Sequence, residues 1–133
     1  MTASLEEARR FLSLAGDDFA AYRMLAEAAH IRTAIALFHA QQAVEKSLKA
    51  VLFAHGVEFR RTHDLYELAD KLEQAGIALP ISADDLGQLN PYAVDFRYDG
   101  QLDFLLSKEA GEVMTREILV WATAMVEGKQ ATQ

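Results

Sequence analysis

The stretch FHAQQAVEKSLKA, residues 38–50, carries Gln41, Gln42, Glu45, Lys46 and Lys49 on a segment otherwise composed like a buried helix. At about 100° per residue, Ile35, Phe38, Leu52 and Phe53 share one side with Gln42, Glu45 and Lys49 among them, while Leu37, Val44, Leu48 and Val51 fill a different arc. Such a helix has two faces to cover, one by its own bundle and one by a partner. Glu45 and Lys49 stand four apart in the favourable order, a pair worth about 0.2–0.5 kcal/mol on an exposed face. Enclosed by aromatic neighbours, the same charges are costly unless paired, and they suit holding a ligand or orienting another side chain. Arg32, His39 and Lys46 repeat every seven residues on the adjacent flank, either completing an anion site or forming a solvated face.

Histidine is the side chain whose ordinary titration lies near neutral pH, so His63 and His39 are the candidate bases. His63 follows Thr62 at a helix start, where its alternative role is to bond a loop carbonyl and fix the turn. His55, near the end of the same helix as His39, reads as a favourable partner of the helix dipole. Arg97 lies among Asp95, Asp99 and Asp103, and is either a structural ion pair or a phosphate contact. Tyr92 and Tyr98 either stack a base or pack with their hydroxyls satisfied. There is no cysteine, which excludes thiolate metal sites and a cysteine nucleophile. No histidine–carboxylate spacing suits a metal, and there is no glycine-rich phosphate loop or nucleophile elbow, so no metal or cofactor is expected.

The elements that position these groups are helical. The 133 residues suit one domain, with a core over about 4–127, and the spacing of apolar residues predicts an all-α, up-and-down bundle of four to five helices. Ser4 and Glu7 have capping-box spacing at the start of a first helix running through Gly16 to about residue 28. A second helix is predicted over 31–55, closed by Gly56, and a third from a Thr62 cap to Gly76. Ser82 and Asp85 open a fourth over 83–96, which Pro91 divides or kinks. The last helix begins near Asp103 or Ser107 and ends at Glu127, with Val113, Ile118, Val120, Trp121 and Met125 in the core and the terminal GKQATQ as a frayed tail. A net charge of −7 argues against broad binding of duplex DNA. No apolar run reaches the roughly 18 residues of a membrane span, so a soluble cytoplasmic protein is expected.

Four stretches in order, "AGDDFAAYRML" with Asp18, "FHAQQAVEKSLKAVL", "RTHDLYEL" with Arg61, His63 and Asp64, and "NPYAVDFRYDG" with Arg97 and Tyr98, resemble the HEPN domain. This small helical domain of prokaryotes is often encoded beside a minimal nucleotidyltransferase (MNT). The resemblance covers roughly residues 10–125. It implies a homodimer with a polar groove at the two-fold axis, and a role in a toxin–antitoxin pair as a metal-independent ribonuclease, with the MNT protein as antitoxin. Other members of the family are non-catalytic nucleotide-binding or adaptor modules. In the ribonucleases an Arg and a His are separated by four to six residues, yet here no histidine follows Arg97. Arg32 and His39 do have that spacing, but inside one helix. For cleavage of single-stranded RNA the 2′-hydroxyl would be the nucleophile, His63 or His39 the base, and Arg97 or Lys49 the cation facing the phosphorane. Nucleotide or phosphate binding would fall to Gln42, Glu45, Lys46, Lys49, Arg97 and Tyr98.

Overall fold

The structure is a computed structural model and describes residues 3–93 and 105–131. Five α-helices are found there: α1 (Ala3–Glu27), α2 (Thr33–Ala54), α3 (Leu65–Gln74), α4 (Ala83–Gly87) and α5 (Lys108–Ala131), with a 3-10 turn at Asn90–Ala93. The all-α bundle expected from apolar spacing is the observed architecture. Among the described residues no helix is long and apolar enough to cross a membrane.

Helix α2 is the centre of the bundle because it is covered on so many sides: α1, α3, α5 and the 3-10 turn all pack on it. Its alanines, 34, 36, 40, 43, 50 and 54, are buried and let the neighbouring helices approach closely, while Leu37, Val44, Leu48, Val51 and Leu52 fill the core. Burying each of these larger side chains stabilises the fold by about 1.5–3 kcal/mol. Leu5 and Ala8 at the start of α1 meet Ala50 and Ala54 at the end of α2 and Val126 near the end of α5. Thus α1 runs antiparallel to both, and α2 and α5 run side by side in the same direction. The segment bearing α3, α4 and the 3-10 turn makes the return between them.

The helix ends show why the chain turns where it does. After α2, Gly56 takes φ 66°, and the bonds Gly56 N–H to Phe53 O (3.1 Å) and Val57 N–H to Leu52 O (3.0 Å) close a Schellman motif. Gly76 ends α3 in the same way. The start of α3 differs from expectation: Asp64, rather than Thr62, is the N-cap, accepting from Tyr66 N–H at 2.9 Å. Thr62 Oγ1 instead accepts from Asp64 N–H at 3.1 Å, one turn earlier. The fourth helix is shorter than expected, because α4 stops at Gly87 and Pro91 sits in a separate 3-10 turn; residues 94–96 lie outside the described residues.

Two expectations for α5 are corrected. The helix begins at Lys108 behind Ser107, whose hydroxyl accepts from Ala110 N–H at 3.1 Å, and extends to Ala131, past the end expected at Glu127. The strong helix formers Lys129, Gln130 and Ala131 outweigh Gly128, and Lys129 suits the negative end of the dipole. Val113 and Val120 are 53% and 64% exposed and are not core. The buried line runs through Met114, Ile118, Ala122 and Val126, spaced four apart, so the two valines fall on the opposite flank. Trp121 and Met125 are partly buried against the core.

Candidate functional site

Gln41, Glu45 and Lys49 are successive members of one i, i+4 line on α2, and all three are buried. Their line faces the turn that leads into α3. Glu45 Oε1 accepts from Gln41 Nε2 at 3.1 Å, and Oε2 accepts from Lys49 Nζ at 2.9 Å. The third donor comes from outside the helix: His63 Nδ1 lies 3.0 Å from Oε1 and 3.2 Å from Oε2. Gln41 Nε2 also donates to the His63 carbonyl at 3.3 Å, and Gln42 Nε2 donates to Gln41 Oε1 at 2.7 Å. One buried carboxylate therefore accepts from an amide, an ammonium and an imidazole, with the Gln42 amide joined through Gln41. A carboxylate without those donors would be unstable at this depth.

The imidazole is the exposed member of the cluster. The His63 side chain is 63% exposed, whereas that of Glu45 is 4% exposed. Since a carboxylate only accepts, Nδ1 carries a proton, and in the neutral form of the ring the lone pair lies on Nε2. Among the described residues Nε2 has no hydrogen-bond partner. The backbone around His63 is tied on its C-terminal side. Asp64 Oδ1 accepts from Asn90 Nδ2 at 3.0 Å, and Asn90 Oδ1 accepts from Leu65 N–H at 2.9 Å. Arg60 adds two bonds to Glu67, at 2.9 and 2.6 Å, across the same turn.

His39 and Lys46 point elsewhere. Both meet Asp18 of α1: His39 Nδ1 lies 3.1 Å from Oδ1 and Lys46 Nζ lies 2.5 Å from Oδ2. That trio joins α1 to α2 on the flank away from Glu45. His55 Nδ1 donates to Val51 O at 3.0 Å, within its own helix end. Tyr92 is fully buried, while Arg97 and Tyr98 lie outside the described residues. Gln41 is a member of the cluster that sequence reasoning leaves out, although its place four residues before Glu45 is the signal for it. Arg61, two residues before His63, is exposed and has no ion pair or hydrogen bond among the described residues.

Glu45 and its partners Lys49 and His63 come from two of the stretches on which the HEPN resemblance rests, and Asp18, which joins His39 and Lys46, from a third. The HEPN domain family model matches residues 2–124, almost the whole chain. The chain belongs to the HEPN domain family. No curated protein and no solved structure matches it. In this HEPN domain the order of the stretches along the chain has a physical meaning: α1 supplies Asp18, α2 supplies His39 and Lys46 to meet it and also carries Glu45, and the turn before α3 brings His63 to Glu45.

Proposed function

We propose that this HEPN domain is a metal-independent ribonuclease, the toxin component of a toxin–antitoxin-like pair with an MNT-type nucleotidyltransferase, and that it works as a homodimer in the cytoplasm. The observation that carries the catalytic part is the Glu45–His63 pair: a buried carboxylate holds Nδ1–H of an exposed imidazole, so that Nε2 is free to take a proton. In this reading Nε2 removes the proton of a ribose 2′-hydroxyl, and O2′ attacks the adjacent phosphorus. The P–O5′ bond breaks, the leaving O5′ takes a proton from solvent, and the products are a 2′,3′-cyclic phosphate and a 5′-hydroxyl. Lys49 and Arg97 are the cations assigned to the charge that builds on the phosphorane.

A positioned base contributes about 10²–10⁴-fold in rate. His63→Ala is therefore expected to lower cleavage of a mixed single-stranded RNA pool in EDTA by that factor, and His39→Ala to leave it within a few-fold, since His39 is held by Asp18 on another flank. Arg97→Ala in the same assay tests the cation. The second reading, a non-catalytic nucleotide-binding or adaptor module serving the nucleotidyltransferase, is favoured by one sequence fact: no histidine follows Arg97. RNA left intact by the wild-type protein selects that reading.

A further inference from the structure

A groove of about 670 Å³ opens where the start of α1, the end of α2 and the loop after Gly56 meet. Its size is that of a small-ligand site. Phe11, Phe53 and Phe59 line it, with ring centroids 5.3 Å apart for the first pair and 5.2 Å for the second. Arg10, Lys49 and Arg61 line it as well, against the carboxylates of Glu7 and Glu58. A chain carrying −7 thus has a cavity whose lining leans basic. The cations differ in availability. Arg10 gives Nε and Nη2 to Glu7, at 2.9 and 3.0 Å, and those bonds hold the Glu7 carboxyl below its ordinary range. Among the described residues Lys49 gives one bond, to Glu45, which leaves two of its three Nζ protons. Arg61 has no partner among the described residues.

The groove adjoins the Glu45–His63 pair through Lys49, which lines the groove and bonds Glu45. Aromatic walls beside cations suit a base with its phosphate, and a base reaches such walls only when it is not stacked inside a duplex. We infer that this groove is a subsite for one nucleotide of single-stranded RNA, its base against Phe53 and Phe59 and its phosphate on Arg61 and Lys49, beside the bond that His63 addresses. The inference deepens the ribonuclease reading by assigning one nucleotide of the RNA to a place in the fold, and rests on that reading only for where the cleaved bond lies.

The test is binding of a fluorescently labelled single-stranded RNA, and of the same sequence in duplex, to full-length protein carrying His63→Ala so that nothing is cleaved. In that background Arg61→Ala is expected to weaken single-strand binding and to reduce the slope of log K against log salt by about 0.7, as loss of one phosphate contact requires. Phe59→Leu, which keeps the apolar volume, is expected to weaken binding about fivefold or more with the salt slope unchanged. The single strand is expected to bind more tightly than the duplex. Unchanged affinity and slope in both folded variants, or equal affinity for single strand and duplex, overturns the subsite. Binding that depends on Arg61 and Phe59, in a protein whose wild type leaves RNA intact, upholds the subsite and removes the ribonuclease reading alone.

Discussion

Glu45 has a structural role and a chemical one, and two substitutions separate them. Glu45→Ala leaves the Lys49 ammonium buried without its partner, and the expected loss is about 3–5 kcal/mol in denaturant unfolding; a loss below about 0.5 kcal/mol contradicts the buried pairing. Glu45→Gln keeps an acceptor for His63 but no negative charge beside it, so cleavage is expected to fall while the fold persists by circular dichroism. Tyr22 offers a second check at this scale. Its hydroxyl donates to the Lys108 carbonyl, and burial, with Glu112 and Glu109 nearby, pushes its pKa up to about 12. The folded protein then resists ionising this tyrosine, so its stabilising effect is complete below pH of about 10, the ordinary tyrosine value, and is lost as pH rises through about 12. An alkaline absorbance titration should show an upward-displaced component that disappears in Tyr22→Phe, and a wild-type curve identical to the variant's after scaling contradicts it. The residue types of the site were legible in the sequence, but the pairing was not. Glu45 and Lys49 follow from helical spacing, whereas His63 is 18 residues from Glu45 and meets it only through the turn before α3.

Among the elements, α5 shows most clearly what spacing does and does not convey. Its existence and its buried Ile118 are in the sequence, yet Val113 and Val120 satisfy the same hydrophobic count and face outward, because which stripe is covered depends on where α1 and α2 lie. The parallel run of α2 and α5 is equally illegible locally, being set by the return through α3 and α4. Gly111 marks a close approach between them: a Cβ there would lie 2.5 Å from Leu37 Cδ2, and Leu37 is fully buried. Alanine in a helix interior ordinarily gains up to about 1 kcal/mol over glycine, and Gly128→Ala, with nothing within 4 Å of the added atom, is expected to stabilise. Gly111→Ala is expected to destabilise by about 1–3 kcal/mol instead. Thermal midpoints that move the same way in both variants contradict the packing of α5 on α2.

For the molecule as a whole, fold class was the most legible feature, since sustained helical periodicity and glycine stops after α2 and α3 leave few alternatives to a helical bundle. Family membership followed from four polar stretches in order, and the match over residues 2–124 agrees with them. Function is read from one asymmetry within that bundle, a buried carboxylate holding an exposed imidazole. The proposed homodimer belongs to this scale too, and light scattering is expected to give twice the chain mass. The most direct measurement is end-group analysis of single-stranded RNA incubated with the wild-type protein and with His63→Ala in EDTA. The proposed chemistry gives 2′,3′-cyclic phosphate and 5′-hydroxyl ends from the wild type, with their yield reduced about 10²-fold or more by the substitution. Intact RNA with the wild type, or the same ends in equal yield from His63→Ala, contradicts it.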